Sequence, residues 1–228
     1  MHSQIALPVA ACAAWRAGED EAAPPAVGFI EPQLRRRLSL LDRIALHVAH
    51  ACVKDGEAVR VVFASRHGEL ARSAELLAQL AACEMPSPMA FSLSVLNAAP
   101  GLYGIARKDR SASTAVSAGV ETFPMALVEA AAQAWAEPDL PVVVAFADEP
   151  PPAVYRSLVD TPRRAHALGL RLDARAAKHH VTMRWAPSDR DEEPEAAPVA
   201  FRACVENGVD TAWHGGGRAW HWTQHGRA

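Results

Sequence analysis

The sequence has no closely spaced cysteine pair, no net positive charge, no long apolar run and no glycine-rich phosphate loop. Each absence removes a class of function. The four cysteines, Cys12, Cys52, Cys83 and Cys204, are scattered and form no CxxC unit. They read as small buried thiols in a reducing cytoplasm, with neither a zinc site nor a disulfide framework. The formal net charge is −3 and the pI is about 6.4, so no basic face for nucleic acid is expected. No apolar stretch is long enough to span a bilayer. Residues 5–15 (IALPVAACAAW) are apolar but lack a basic start and contain Pro8, so they read as a buried strand and loop rather than a secretory leader. There is no Walker loop and no GxGxxG, so no nucleotide and no other cofactor is expected. His179, His180, His214, His221 and His225 follow no ligand spacing and read as surface side chains, with no metal.

What is there is a globular chain of 228 residues, half of them apolar, which is enough to bury a sizeable core. A Pro-rich loop at residues 21–27 precedes a helix opened by Pro32. Its apolar stripe runs through Leu34, Leu38, Leu41, Ala45, Val48 and Cys52, and Gly56 is placed at its C-cap. Arg35, Arg36, Arg37 and Arg43 lie mostly off that stripe, as a solvated face or as a contact for the phosphates of a carrier-protein arm or coenzyme A.

Residues 59–65 (VRVVFAS) predict a strand and residues 69–83 a helix, followed by the loop MPSPM. Residues 91–106 predict a helix apolar all round, interrupted at Pro100-Gly101. Residues 111–116 predict a strand, residues from 117 to about 135 the central helix, and residues 140–147 (LPVVVAFA) a strand buried on both faces.

Strands alternating with helices predict a layered α/β domain with a mainly parallel sheet. It is placed at residues 1–186. An acidic Pro-rich linker or loop follows at 187–198. A C-terminal tail at 199–228 packs on the domain, with residues 218–223 as an edge strand that puts Trp220 and Trp222 on one face.

The segment 87–123 (SPMAFSLSVLNAAPGLYGIARKDRSASTAVSAGVETF) resembles β-ketoacyl-acyl-carrier-protein synthases. Ser94, Val95 and Asn97 match the family's helix signature, and Gly101 matches its glycine. Thr114, Ala115, Ser117 and Gly119 match the turn that carries the nucleophile. The likeness covers residues 58–148 well and the first helix loosely. It implies one half of a thiolase-like fold, standing alone as an N-terminal-half domain.

One departure bears on the chemistry. The nucleophilic cysteine of the family falls at Val116, which offers neither a nucleophile nor an ionisable group. The family's two catalytic histidines belong to its second half, which is not expected here. Residues 213–217 (WHGGG) are similar to one of their contexts and read instead as a loop. The resemblance therefore implies a non-catalytic accessory protein in bacterial fatty-acid or polyketide-type synthesis of the aryl-polyene kind. It would bind a ketosynthase, a carrier protein or an acyl chain. The family interface implies a homodimer, or a heterodimer with a ketosynthase, through Ser111 to Val116.

The alternative is a diverged acyl hydrolase or acyltransferase using Ser117 or Ser65. Ser117 begins the central helix, where a serine is more often an N-cap. Ser65, His67 and Glu69 cluster in sequence, but triads assemble from distant segments.

Overall fold

In a computed structural model of the chain, residues 4–18, 23–159 and 163–227 are described; residues 21–22 of the Pro-rich loop lie outside them. The strands are β1 (Gln4–Arg16), β2 (Arg60–Ala64), β3 (Ser113–Val116), β4 (Val142–Asp148), β5 (His166–Leu172), β6 (His179–Pro187), β7 (Thr211–Gly215) and β8 (Arg218–Arg227). They form one sheet in the order β3-β2-β4-β5-β1-β6-β8-β7.

The sheet is mixed and mostly antiparallel, which corrects the mainly parallel expectation. Only β2 pairs in parallel, with β3 and with β4. The β5, β1, β6, β8 and β7 pairings are all antiparallel. The cause is connectivity. Parallel neighbours need a long crossover, and helices supply it only between β2, β3 and β4.

Residues 218–223 are likewise not at an edge: β8 lies between β6 and β7, and β7 is the outer strand. Strand β6 is an element that local pattern did not signal. Pro8 is accommodated inside β1 because residues 4–9 pair with β6 and residues 9–16 pair with β5, with a register shift between Val9 and Ala11.

The helices are α1 (Pro32–Arg35), α2 (Leu40–Ala51), α3 (Leu70–Ala81), α4 (Pro88–Ser92), α5 (Ala98–Arg107), α6 (Thr122–Ala136) and α7 (Ala196–Asn207). Two expected helices are split. The first breaks after Arg35 because Ser39 is an extended N-cap that forms a capping box with Asp42, a start signal the continuous stripe concealed. The second divides into α4 and α5. Pro100 does not interrupt α5 but is its third residue, where the missing N–H has no acceptor to lose.

Helices cover both faces of the sheet, so successive strand residues serve two cores. On one face Val61, Phe63, Val143, Ala145 and Ala147 pack under α2 and α5. On the other, Val62, Val144, Phe146, Leu168 and Leu170 pack under α6 and α7 with Trp213, Trp220 and Trp222. Gly169 lets α2 lie directly on β5, since a Cβ there would run into the Val48 carbonyl. Helices α3 and α4 stand apart from both cores, and Leu76 is their only buried residue.

Candidate active-site region

Strands β2, β3 and β4 bring their C-terminal ends together beside the start of α6, the end of a parallel sheet where α/β folds place ligands. Val116 is the last residue of β3 and lies opposite Ala64 of β2. Its side chain is partly buried against the core under α6. No ionisable group stands at this position.

The chain then turns through Gly119, whose φ of +59° suits glycine, into a 3-10 turn at Gly119–Glu121. The helix proper starts at Thr122, five residues later than Ser117. Thr122 Oγ1 accepts from the Ala118 N–H at 2.9 Å and donates to the Gly119 carbonyl at 2.7 Å. Ser117 is therefore neither N-cap nor helix start. It is exposed, and its Oγ donates to the Arg66 carbonyl at 3.0 Å.

Ser65 is fully buried. Its Oγ donates to Asp148 Oδ1 at 2.8 Å and accepts from the Gly68 N–H at 2.9 Å. The Arg66 N–H donates to the same Asp148 oxygen. Burial raises the Asp148 carboxyl above its ordinary value, against the opposing charges of His166 and His67. Ser65 is thus hydrogen-bonded to a buried carboxyl and not to the imidazole of a Ser–His–acid set. Glu69 points elsewhere: it accepts from Ser39 Oγ at 2.5 Å and from Arg72 Nε at 2.9 Å. Ser65, His67 and Glu69 do not converge as a set.

The other motif positions hold the scaffold. Thr114 Oγ1 accepts from Gln133 of α6 at 3.0 Å. Asn97 is the N-cap residue of α5 without a side-chain cap bond, and Ser94 Oγ donates to the Phe91 carbonyl at 2.8 Å. Gly101 lines a cleft of about 200 Å³ between α5 and Ser111 and Ser113 beside β3.

Three features were not anticipated. Buried Asp42 and Glu69 and half-buried Glu149 gather around Arg72; desolvation, then the Glu69 charge, pushes both Asp42 and Glu149 up to about 7. Glu121 receives Arg218 at 2.6 Å and the Trp220 indole N–H at 3.0 Å, which anchors the β7–β8 hairpin at the start of α6. His166 stands directly across from Asp148. Asp148 had a signal, as the one charge ending an otherwise apolar strand. The other two are long-range pairings with none. Among the described residues no group of three His, Cys, Asp or Glu side chains could hold a metal ion, and no helix is long and apolar enough to cross a membrane.

Comparison with known proteins gives a consistent picture. The model of the β-ketoacyl synthase N-terminal domain matches residues 11–223. No curated protein matches the chain. A solved structure of a ketosynthase, ApeO, in complex with its chain length factor, ApeC, from Xenorhabdus doucetiae contains a similar chain. It is 25% identical at a TM-score of 0.76, over 97% of this chain and 97% of that one. The ishigamide ketosynthase/chain length factor is 18% identical at a TM-score of 0.62, over 90% of this chain and 74% of that one. A β-ketoacyl synthase from Burkholderia phymatum STM815 is 13% identical at a TM-score of 0.58, over 83% and 58%.

Proposed function

This chain belongs to the β-ketoacyl synthase family, through its N-terminal domain, and on that premise we propose that it is a non-catalytic subunit that pairs with a ketosynthase. The observation that carries the reading is Val116 at the end of β3, where the family resemblance puts the nucleophilic cysteine. The process is bacterial fatty-acid or polyketide-type synthesis of the aryl-polyene kind, in the cytoplasm. Its intermediates ride on an acyl carrier protein.

Two observations support pairing. The similar chain at 25% identity comes from a structure of a ketosynthase with its chain length factor. The outer edge of the sheet is also unpartnered at β3. The Ala112 and Val116 carbonyls accept from Val61 of β2 and from Ser65 just after it, so in the parallel alternation Ser113 and Ala115 turn their backbone groups outward. In the crossover from β2 to β3, before α5, α3 and α4 and the loop between them leave Leu77, Leu80, Met85, Met89 and Phe91 exposed, with Phe91 at 66% and Met85 at 93%. Exposed apolar groups on this scale suit an interface.

The test is reconstitution with a complete ketosynthase and a loaded acyl carrier protein. The expected result is a one-to-one complex in which intact-mass measurement finds acyl groups on the ketosynthase and none on this chain. An acyl adduct on this chain, at Ser117 or Ser65, would overturn the reading.

A further inference from the structure

The cleft between α5 and β3 lies against the free edge of the sheet. Val61 of β2 and Ser113 of β3 are register partners, and both line the cleft. Val61 and Ala115 pack under α2 and α5, so Ser113, two residues before Ala115 on the same strand, stands on the face that carries α5. That helix does not fill the space. Gly101 lines the cleft, and a Cβ there would meet no atom within 4 Å. Ile105, one turn further along α5, lines it too and is 67% exposed.

The polar wall is already satisfied. Asp109 accepts from the Val59 and Ser111 N–H groups, each at 2.9 Å, and from Ser111 Oγ at 2.6 Å. A polar occupant would lose its water and gain little in return. An acidic one would also meet the Asp109 carboxylate. The volume, about 200 Å³, is below the roughly 300–1,000 Å³ of pockets that hold small molecules, so its scale is that of a side chain.

We propose that the cleft receives one apolar side chain from the ketosynthase strand that pairs with β3; this rests on the pairing described under the proposed function. A strand added to β3 lies about 4.8 Å further out, and alternate side chains of it stand on the α5 face, beside the cleft. In strand addition the main-chain hydrogen bonds hold the strand, and a pocket for an alternate side chain selects it. Gly101 leaves the room for that side chain, and Ile105 packs against it. The β3 edge supplies the grip, and the cleft supplies the choice of partner.

The test is calorimetric titration of the full chain with a complete ketosynthase, using the unaltered protein, Ile105→Asp and Gly101→Leu. Both variants are expected to weaken the complex at least about tenfold, as loss of a central anchor does. The thermal midpoint of the isolated Gly101→Leu chain should hold or rise, because leucine favours a helix over glycine and meets no atom there. If that variant fails to fold, Ile105→Asp, a change at an exposed position, decides. Absence of a complex with the unaltered chain would overturn the pairing itself. A complex that Ile105→Asp forms with unchanged affinity would overturn the cleft alone. So would a structure of the complex in which no ketosynthase side chain enters it.

Discussion

Arg218 of β8 and Glu121 at the start of α6 are 97 residues apart and meet at 2.6 Å. The second Glu121 oxygen accepts from Trp220, whose side chain is buried. One carboxylate therefore registers the C-terminal hairpin on the helix that follows the nucleophile position. Glu121→Ala leaves the Trp220 N–H buried without an acceptor, which costs about 1–3 kcal/mol. Denaturant unfolding should show that loss without a change in slope. A loss below about 0.5 kcal/mol would mean that the anchor contributes little.

The same hairpin supplies the aromatic part of one core. Trp222 packs edge-on against Phe123 at 6.4 Å and Phe201 at 5.7 Å between centroids. Trp222→Ala is expected to cost roughly 3–5 kcal/mol. A chain ending at Pro187 loses α7, β7 and β8 and is expected to aggregate. A soluble, cooperatively unfolding truncation would show that residues 1–187 close their core unaided.

Val116→Cys restores the thiol that the family resemblance implies, beside the first turn of α6. It is expected to take up an acyl group from a thioester donor and to form no carbon–carbon bond. The histidines that assist decarboxylation belong, in the family, to the other half. Intact-mass measurement checks the adduct, and a malonyl condensation assay checks the second claim. Condensation at the rate of a complete synthase would refute it.

Pairing through β3 should be sensitive at Ala115, whose backbone groups face outward. Ala115→Arg puts a charged side chain beside that edge where Ala115 is partly buried against the core under α2 and α5, and is expected to weaken association with a ketosynthase at least tenfold and to lower the thermal midpoint of the isolated chain as well. Light scattering of the mixed chains reads the complex. Unchanged association would shift the interface elsewhere. In isolation the chain is expected to form a homodimer through the same edge, and Ala115→Arg should make it monomeric.

The carboxyl groups around Arg72 give stability a definite pH dependence. Asp42 and Glu149 sit at about 7 in the folded chain, against roughly 4 when unfolded. Between those values the folded state holds more protons, so the stability these two groups contribute is fully present below about pH 4 and is lost as pH rises toward 7. Glu149→Gln removes one of the two groups and should flatten that fall. Thermal midpoints at half-unit steps would check it; a steady rise over the same window would contradict it.

Much of the fold from residue 58 to 148 was legible because each element there carries its own local signal. The buried runs at β2 and β4 are apolar throughout, and α3 and α6 are rich in helix formers. The resemblance at Ser94, Asn97, Thr114 and Gly119 likewise rests on contiguous residues, so it could be read directly, as could the replacement at Val116. What local pattern left open was direction and partnership. β6 mixes histidines, Thr182 and Arg184 with apolar residues and looks like a strand only once β1 and β8 flank it. The sheet turned mostly antiparallel because no helix follows β4 to carry the chain back across it. Ser65 and Ser117 were plausible nucleophiles by position, but Asp148 and the Arg66 carbonyl take their hydroxyls, and both partners lie far along the chain. Residue type and spacing along the chain determined which chemistry was possible. Only the tertiary structure decided which side chains meet, because hydrogen bonds and ion pairs act over a few ångströms in space, whatever the separation in sequence.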